Sequence, residues 1–146
     1  MISKLPNVTT SIFSVMSKMA SDHQALNLSQ GFPNFESDPL LIELVNKAMK
    51  DGFNQYAPMP GDIDLRAAIC EKVKLLHSCV YNIDKEITIT AGATQAIFTV
   101  LAALVKKDDE VLIFTPAYDC YEPTIELFGG KTRAVQLEAP FYKPNW

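Results

Sequence analysis

Residues 86–95 read Glu86-Ile-Thr-Ile-Thr-Ala-Gly-Ala-Thr-Gln95, and the fold class depends on how this stretch folds. In its first half, residues 86–90, polar and apolar side chains alternate and most are β-branched, which predicts a strand. Small residues follow as a tight turn, and an apolar pattern at helical spacing begins at Thr94. The sequence therefore predicts a strand that turns directly into a helix.

Downstream of this stretch the alternation of helix and strand continues. Residues 94–105 have apolar side chains at helical spacing, and residues 110–115 form a nearly continuous apolar run, typical of a strand covered on both faces. Residues 119–128 are predicted to be a helix that ends at Gly129-Gly130, and residues 131–137 alternate as another strand. Strand-helix-strand-helix-strand with short connections predicts an α/β layered domain.

Upstream, the sequence predicts three helices and one extended segment. Residues 11–19 form a short amphipathic helix. Asp38-Pro39 supplies an N-cap acceptor and a proline at the first helical position, and that helix ends near Gly52. Residues 62–77 form a longer helix, whereas residues 27–33 are extended and turn at glycine and proline.

The composition is that of a globular protein. Of the 146 residues, 48% are apolar and 21% are charged, and the net charge is −4. This acidic balance gives no reason to expect nucleic acid or an anionic membrane as a partner. No apolar run approaches the roughly 18 residues of a membrane span. The sequence therefore predicts neither nucleic-acid binding nor membrane insertion.

The cysteines and histidines predict no metal site. Cys70, Cys79 and Cys120 lack metal-ligand spacing, and their odd number argues against a disulfide framework. His23 and His77 each stand alone in the sequence. The cysteines are therefore expected to be free thiols in a reducing compartment. Because the amino terminus has no apolar signal region, the predicted location is the cytoplasm. The alternative is an organelle, since residues 1–20 contain four serines, two lysines and no acid, as transit peptides do, but they lack arginine.

The turn before residue 95 is a candidate anion site. The first backbone N–H groups of a helix have no partner within the helix, and together with the helix dipole they suit a phosphate. Gly92 and Ala93 allow close approach, and the hydroxyl of Thr94 adds a donor. The alternative is a plain strand-to-helix turn in which Thr94 caps the helix. A dinucleotide fingerprint is excluded because Gly92 is the only glycine in the turn.

Three other residues are candidate ligand contacts. Tyr118 follows the carboxyl end of the predicted 110–115 strand, where open α/β sheets bind ligands, and it could stack on a planar cofactor or merely pack against Tyr121. Tyr56 lies on a proline-flanked loop, either as a positioned hydroxyl donor or as an ordinary exposed tyrosine. Gly31 can offer its backbone N–H to a carboxylate or can simply be a bend.

In this order, these stretches resemble the fold-type I, class I and II aminotransferases, and within them the methionine and kynurenine (glutamine-type) branch. The matching stretches run through essentially the whole chain and are residues 3–7, 12–16, 27–33, 54–56, 90–94 and 118–123. The resemblance implies an α/β fold in which residues 1–35 are an N-terminal arm or small-domain segment. Residues 36–146 would be the first part of the large domain that binds pyridoxal 5′-phosphate (PLP), an incomplete three-layer α/β/α structure.

The resemblance also implies roles for five residues. Ala93 and Thr94 lie where the family holds the PLP phosphate on a helix start, and Tyr118 matches the aromatic side chain that stacks on the pyridine ring. Gly31 matches the glycine whose backbone meets the substrate carboxylate. Tyr56 matches a tyrosine that reaches across a dimer interface to the cofactor phosphate of the other subunit. The implied partners are amino-acid and 2-oxo-acid substrates and, for the full-length enzyme, a second copy in a homodimer.

The chain departs from the family in length, since the family's chains are more than twice as long. The remaining part of such a chain carries the lysine that forms the Schiff base, the acid that pairs with the pyridinium nitrogen and the arginine that clamps the substrate carboxylate. No lysine here matches that lysine, so no catalytic residue is assigned and the chain alone is expected to be inactive. Much of the donor pocket also lies in the remaining part, so the preferred amino donor is not predicted.

Two interpretations remain open. In the first, the chain is a fragment of an aminotransferase that moves an amino group between an amino acid of methionine, kynurenine, glutamine or aromatic type and a 2-oxo acid. In the second, it is a self-standing α/β phosphate-binding or interaction module that does no chemistry. The end of the sequence at residues 141–146, without the further helices and strands that would complete a sheet, favours the first.

Overall fold

The structure is a computed structural model that describes residues 3–31 and 33–145. Phe32, within the predicted extended segment 27–33, lies outside the described residues. The regular elements are, in chain order, α1 (Ile12–Asp22), α2 (Pro39–Lys50), α3 (Ile63–His77), α4 (Ala93–Leu104), β1 (Glu110–Thr115), α5 (Tyr121–Leu127) and β2 (Lys131–Gln136).

Side-chain caps set where the first three helices begin. The Ser11 hydroxyl accepts a hydrogen bond from the Ser14 N–H at the start of α1. The Asp38 carboxylate accepts from the Leu40 N–H before α2, and Asp62 accepts from the backbone of the first turn of α3. The predicted start of α2 at Asp38-Pro39 is confirmed. Its predicted end is confirmed as well, because Gly52 follows the helix with φ at +95°.

The sheet among the described residues has two parallel strands, β1 and β2. Their register runs from Glu110 opposite Lys131 to Thr115 opposite Gln136. Helix α5 connects them and packs against α4 and β2. The buried apolar side chains here are Ile113 on β1 and Ile125 on α5. This strand-helix-strand unit confirms the predicted order after residue 93, and it places the loop of Tyr118 at the carboxyl end of β1.

The predicted strand at residues 86–90 is wrong as a strand assignment, since the strands among the described residues are Glu110–Thr115 and Lys131–Gln136. The Ile89 N–H instead donates to the Pro60 carbonyl at 2.9 Å, and the Glu86 N–H donates to the Asn82 carbonyl. The physical reason is that alternation and β-branching report how side chains suit a pleated surface, whereas a strand exists only by pairing with another strand.

The chain forms two compact units. The first joins Met1–Gln30 to Ala91–Trp146, and the second is Gly31–Thr90. The first contains the two-stranded sheet with α1, α4 and α5, and the second contains α2 and α3. The boundary predicted between an arm at residues 1–35 and a large-domain part at residues 36–146 stays a prediction.

Much apolar surface is left uncovered in both units. The accessible surface is 12627 Å², whereas two independent compact units of these sizes would expose about 9,000 Å². Helix α2 is an example, because its apolar side chains Leu41, Leu44 and Val45 are each more than half exposed. Within residues 3–31 and 33–145, no helix is long and apolar enough to cross a membrane.

Candidate functional site

The start of α4 is shaped by Gly92. This glycine is the N-cap residue, with φ at 90° and ψ at 165°, and no side chain caps the helix. A side chain is disfavoured there by the positive φ. A Cβ built on Gly92 would have no atom within 4 Å, so the space beside the turn is open. The backbone therefore approaches this open space without a side chain in the way.

The first turn of α4 presents hydrogen-bond donors and has no negatively charged side chain. In the part of the chain that the structure describes, the backbone N–H groups of Ala93, Thr94 and Gln95 have no hydrogen-bond partner, and all three residues are exposed. The first turn contains no acidic residue. The Gln95 side chain turns back and accepts from the Ala91 N–H. Unpaired N–H groups at the positive end of a helix dipole are a suitable site for an anion.

The alternative in which Thr94 caps α4 is wrong. The cap position belongs to Gly92, and Thr94 is the second residue of the helix. A capping side chain would accept from an N–H group of the first turn, and no side chain, that of Thr94 included, does so here. Thr94 is instead an exposed residue of the first turn of the helix.

Tyr118 is held by two other aromatic rings and keeps half of its surface free. Its ring centroid lies 6.1 Å from that of Phe13 on α1, at 36°, and 6.2 Å from that of Tyr121 on α5, at 65°. Tyr118 is 51% exposed. Tyr118 therefore packs against Tyr121 and still has a ring surface open to a ligand. Tyr118 belongs to the same compact unit as Ala93 and Thr94.

The other two predicted contacts lie in the second compact unit. Tyr56 is 101% exposed, so its side chain is fully open to solvent. Gly31 is exposed, and a Cβ there would have no neighbour within 4 Å. The structure therefore groups Ala93, Thr94 and Tyr118 in one unit and Tyr56 and Gly31 in the other. The ligand roles of all five stay predictions.

A buried arginine on α3 is not among the candidate residues that the sequence predicts. Arg66 is 7% exposed, and its guanidinium donates to the backbone carbonyls of Gly61 and Ile83. The more enclosed face of α3 runs through Arg66, Ile69, Cys70 and Val73, at helical spacing. A search for apolar residues passes over an arginine on such a face. The sequence signal for its burial is the i, i+3, i+4, i+7 spacing of Arg66 relative to Ile69, Cys70 and Val73.

The cysteines are free, and the one beside Tyr118 is not activated. Burial raises the pKa of the Cys120 thiol, and the neighbouring Asp119 carboxylate raises it further. The thiol therefore stays protonated at neutral pH, and the thiolate is the nucleophilic form. Cys120 is thus a packing residue of the α5 start.

Comparison with known proteins decides the family. The family described as aminotransferase class I and II matches residues 23–146. The chain belongs to the class I and II aminotransferases. It is 45% identical to the methionine aminotransferase of Escherichia coli over 144 residues, which is 99% of this chain and 37% of that protein. It is 30% identical to human kynurenine–oxoglutarate transaminase 3 over 98% of this chain and 32% of that protein.

Solved aminotransferase structures share the fold. The crystal structure of an Escherichia coli methionine aminotransferase matches with a TM-score of 0.94 and 45% identity over 99% of this chain and 38% of that one. The Mycobacterium tuberculosis N-succinyldiaminopimelate aminotransferase matches with a TM-score of 0.88 and 34% identity, over 96% of this chain and 36% of that one. The predicted family and fold class are confirmed, as the first part of the fold-type I α/β fold. The chain spans little more than a third of the length of these relatives.

Proposed function

We propose that the complete protein containing this chain is a PLP-dependent aminotransferase. It moves an amino group between an amino acid of methionine, kynurenine, glutamine or aromatic type and a 2-oxo acid. The observation that carries the proposal is the exposed, uncapped start of α4, with its unpaired N–H groups, in a chain of this enzyme family. When bound, PLP supplies the electron sink and carries the amino group between the two substrates.

The chemistry of the α4 start suits a phosphate. The N–H groups of Ala93, Thr94 and Gln95 and the Thr94 hydroxyl are all donors, and the first turn lacks a carboxylate that would repel an anion. Hydrogen bonds from such donors to a charged group contribute about 1.5–3 kcal/mol each. In this proposal Ala93 and Thr94 bind the cofactor phosphate, and the open space beside Gly92 admits it.

Tyr118 is proposed to stack on the pyridine ring of the cofactor. Its ring is supported by Phe13 and Tyr121, so one part of its surface is fixed and the remaining half is available. A ring held in this way loses little conformational freedom when a planar ligand binds, and offset stacking contributes about 0.5–1.5 kcal/mol beyond the buried area. The ring would orient the cofactor and shield that face from water.

Gly31 and Tyr56 are proposed to act at the substrate carboxylate and at the cofactor phosphate of a second subunit. The backbone at Gly31 is exposed and unobstructed, as a carboxylate contact requires. The Tyr56 side chain is fully exposed in its own chain, which is what a residue needs if its contact is made in a homodimer. The complete protein is accordingly proposed to be a homodimer.

The substrate class rests on the relatives. A methionine aminotransferase at 45% identity and kynurenine–oxoglutarate transaminases at 30–34% identity support methionine and kynurenine as donors to test first. The three free thiols support the cytoplasm as the location. Because this chain supplies no residue for the proton transfers, we propose that residues 1–146 alone do not transaminate.

Binding of PLP and of pyridoxal to the complete protein tests the phosphate site. Pyridoxal has the same ring without the phosphate, so the ratio of the two dissociation constants isolates the contacts at α4. Losing two or three charged hydrogen bonds predicts a dissociation constant for pyridoxal at least about 100-fold higher. Equal constants would remove the proposal. Phosphate-dependent binding without turnover of any amino acid would favour the non-catalytic binding module instead.

A further inference from the structure

Arg66 joins two stretches of backbone that are far apart in the sequence. Its Nε donates to the Gly61 carbonyl at 3.2 Å, and its Nη1 donates to the Ile83 carbonyl at 2.5 Å. Within residues 3–31 and 33–145, Arg66 takes part in no ion pair. A buried guanidinium without a carboxylate must satisfy its donors on carbonyl groups, and its planar fork fixes the two acceptors relative to each other.

One of these acceptors belongs to a tightly constrained turn. The Gly61 N–H donates to the Pro58 carbonyl at 2.8 Å, and Gly61 has φ at +101°. The Ile89 N–H donates to the Pro60 carbonyl, and Ile89 lies so close that a Cβ on Gly61 would be 2.4 Å from its Cγ1. Arg66 therefore holds the turn on one side while Ile89 blocks it on the other.

The same turn ends the loop that carries Tyr56. At the start of the loop, the Asn54 side chain donates to the Met49 carbonyl of α2 at 2.8 Å. Between that anchor and Gly61 lie six residues, two of which are Pro58 and Pro60. Proline fixes φ, so a loop this short with both ends tied has few conformations. Tyr56 is thus presented to solvent on a stiff support.

We propose that Arg66 is a positioning residue that acts through Tyr56. It fixes the C-terminal anchor of the 54–61 loop and thereby holds the Tyr56 hydroxyl where a cofactor phosphate can accept its hydrogen bond. The proposal rests on the proposed function of Tyr56. It adds that the orientation of Tyr56 depends on a guanidinium that contacts neither cofactor nor substrate.

A double-mutant cycle on the complete protein tests this, with the dissociation constant of PLP as the measured quantity. In R66K an ammonium replaces the fork and cannot hold both carbonyls in the same geometry. Y56F should raise the constant about tenfold, the loss of one charged hydrogen bond. R66K should raise it severalfold, and R66K/Y56F should match Y56F within about twofold because the two changes remove the same contact. R66Q repeats the cycle if R66K does not fold.

T124V is the matched control. Thr124 is also buried and also donates to a backbone carbonyl, that of Cys120, but it lies on α5 in the other compact unit. In T124V/Y56F, the fold-change in the dissociation constant of PLP should be the product of the fold-changes in T124V and in Y56F. Amide hydrogen exchange of Gly61 and Ile89, whose N–H groups donate to the Pro58 and Pro60 carbonyls, should be faster in R66K and unchanged in T124V.

Each contrary result has a separate meaning. If the effect of R66K/Y56F on the dissociation constant of PLP is the product of the two single effects, or if exchange of the Gly61 and Ile89 amides is unchanged in R66K, the positioning role is overturned and the proposed function stays intact. No effect of Y56F on PLP binding would overturn the assigned role of Tyr56, and the positioning role of Arg66 with it.

Discussion

The ring of Phe13 lies 6.1 Å from the ring of Tyr118, centroid to centroid, and the two rings are tilted by 36°. Phe13 lies on α1, and Tyr118 lies in the loop between β1 and α5. The N-terminal helix therefore supports the aromatic side chain proposed to stack on the cofactor. This contact gives residues 12–16, a stretch that resembles the family, a physical reason to matter for the site.

Replacing Tyr118 should weaken cofactor binding. We expect Y118A in the complete protein to reduce PLP affinity by roughly 1–3 kcal/mol, through the loss of a large aromatic contact. F13A should weaken PLP binding less, since it removes only the support of the ring. The measurement is PLP titration followed by fluorescence. Y142A is the control, because Tyr142 is similarly exposed, at 55%. Wild-type affinity in Y118A would remove the stacking role.

A carboxylate at the start of α4 should have opposite effects on stability and on cofactor binding. In A93D the new charge favours the helix dipole by about 0.3–1 kcal/mol. The same charge repels a phosphate, so PLP affinity should fall at least about tenfold relative to A93N, which has the same shape without the charge. Thermal melts without cofactor and PLP titrations of both variants provide the check. Equal PLP affinity in A93D and A93N would contradict the phosphate assignment.

Two glycines with similar backbone angles should differ in their tolerance of a methyl group. Gly61 and Gly52 have φ at +101° and +95°, so alanine costs each roughly 1–2 kcal/mol of backbone strain. A Cβ on Gly61 also overlaps Ile89, whereas one on Gly52 meets nothing within 4 Å. G61A should therefore destabilise the complete protein by about 1–3 kcal/mol more than G52A in denaturant unfolding. Equal losses would show that the Gly61–Ile89 contact relaxes freely.

The isolated 146-residue chain should associate with itself. Leu41, Leu44 and Val45 of α2 are more than half exposed. Full burial of each such side chain would stabilise the fold by about 1.5–3 kcal/mol, so exposure loses part of that free energy. Since a domain has only about 5–15 kcal/mol of total stability, a few uncovered side chains decide whether it stays folded and monomeric. Light scattering coupled to size exclusion gives the answer. A soluble monomer of this chain with a cooperative melt would refute this account of the uncovered surface.

The helices were predictable because their signals are local. Asp38-Pro39 and Asp62 carry their own capping chemistry, and the structure starts α2 and α3 there. The 110–115 and 131–137 runs also became strands, because they lie in one compact unit and pair with each other. The 86–90 run has the same kind of pattern but pairs with no strand among the described residues. Strand pairing depends on residues far away in the sequence, so the pattern of a single segment does not predict it.

Of the candidate site, only the glycine turn before α4 was both predicted from the sequence and found in the structure; the ligand roles stay predictions. The turn at Gly92 can be predicted from the sequence because small residues stand between a β-branched run and a helical pattern. The support of Tyr118 by Phe13 spans 105 positions in the sequence and has no local signal. Arg66 was missed for a related reason: its acceptors are backbone carbonyls, which any residue supplies, so their positions leave no trace in the residue types.

We propose above all that the complete protein transfers an amino group by means of PLP. The most direct measurement follows the 2-oxo acid formed from methionine, kynurenine or glutamine when the purified complete protein is mixed with a second 2-oxo acid, with and without PLP. We predict product that requires PLP, and none from residues 1–146 alone. A complete protein that binds PLP and forms no 2-oxo acid from any of these donors or from an aromatic amino acid would contradict the account.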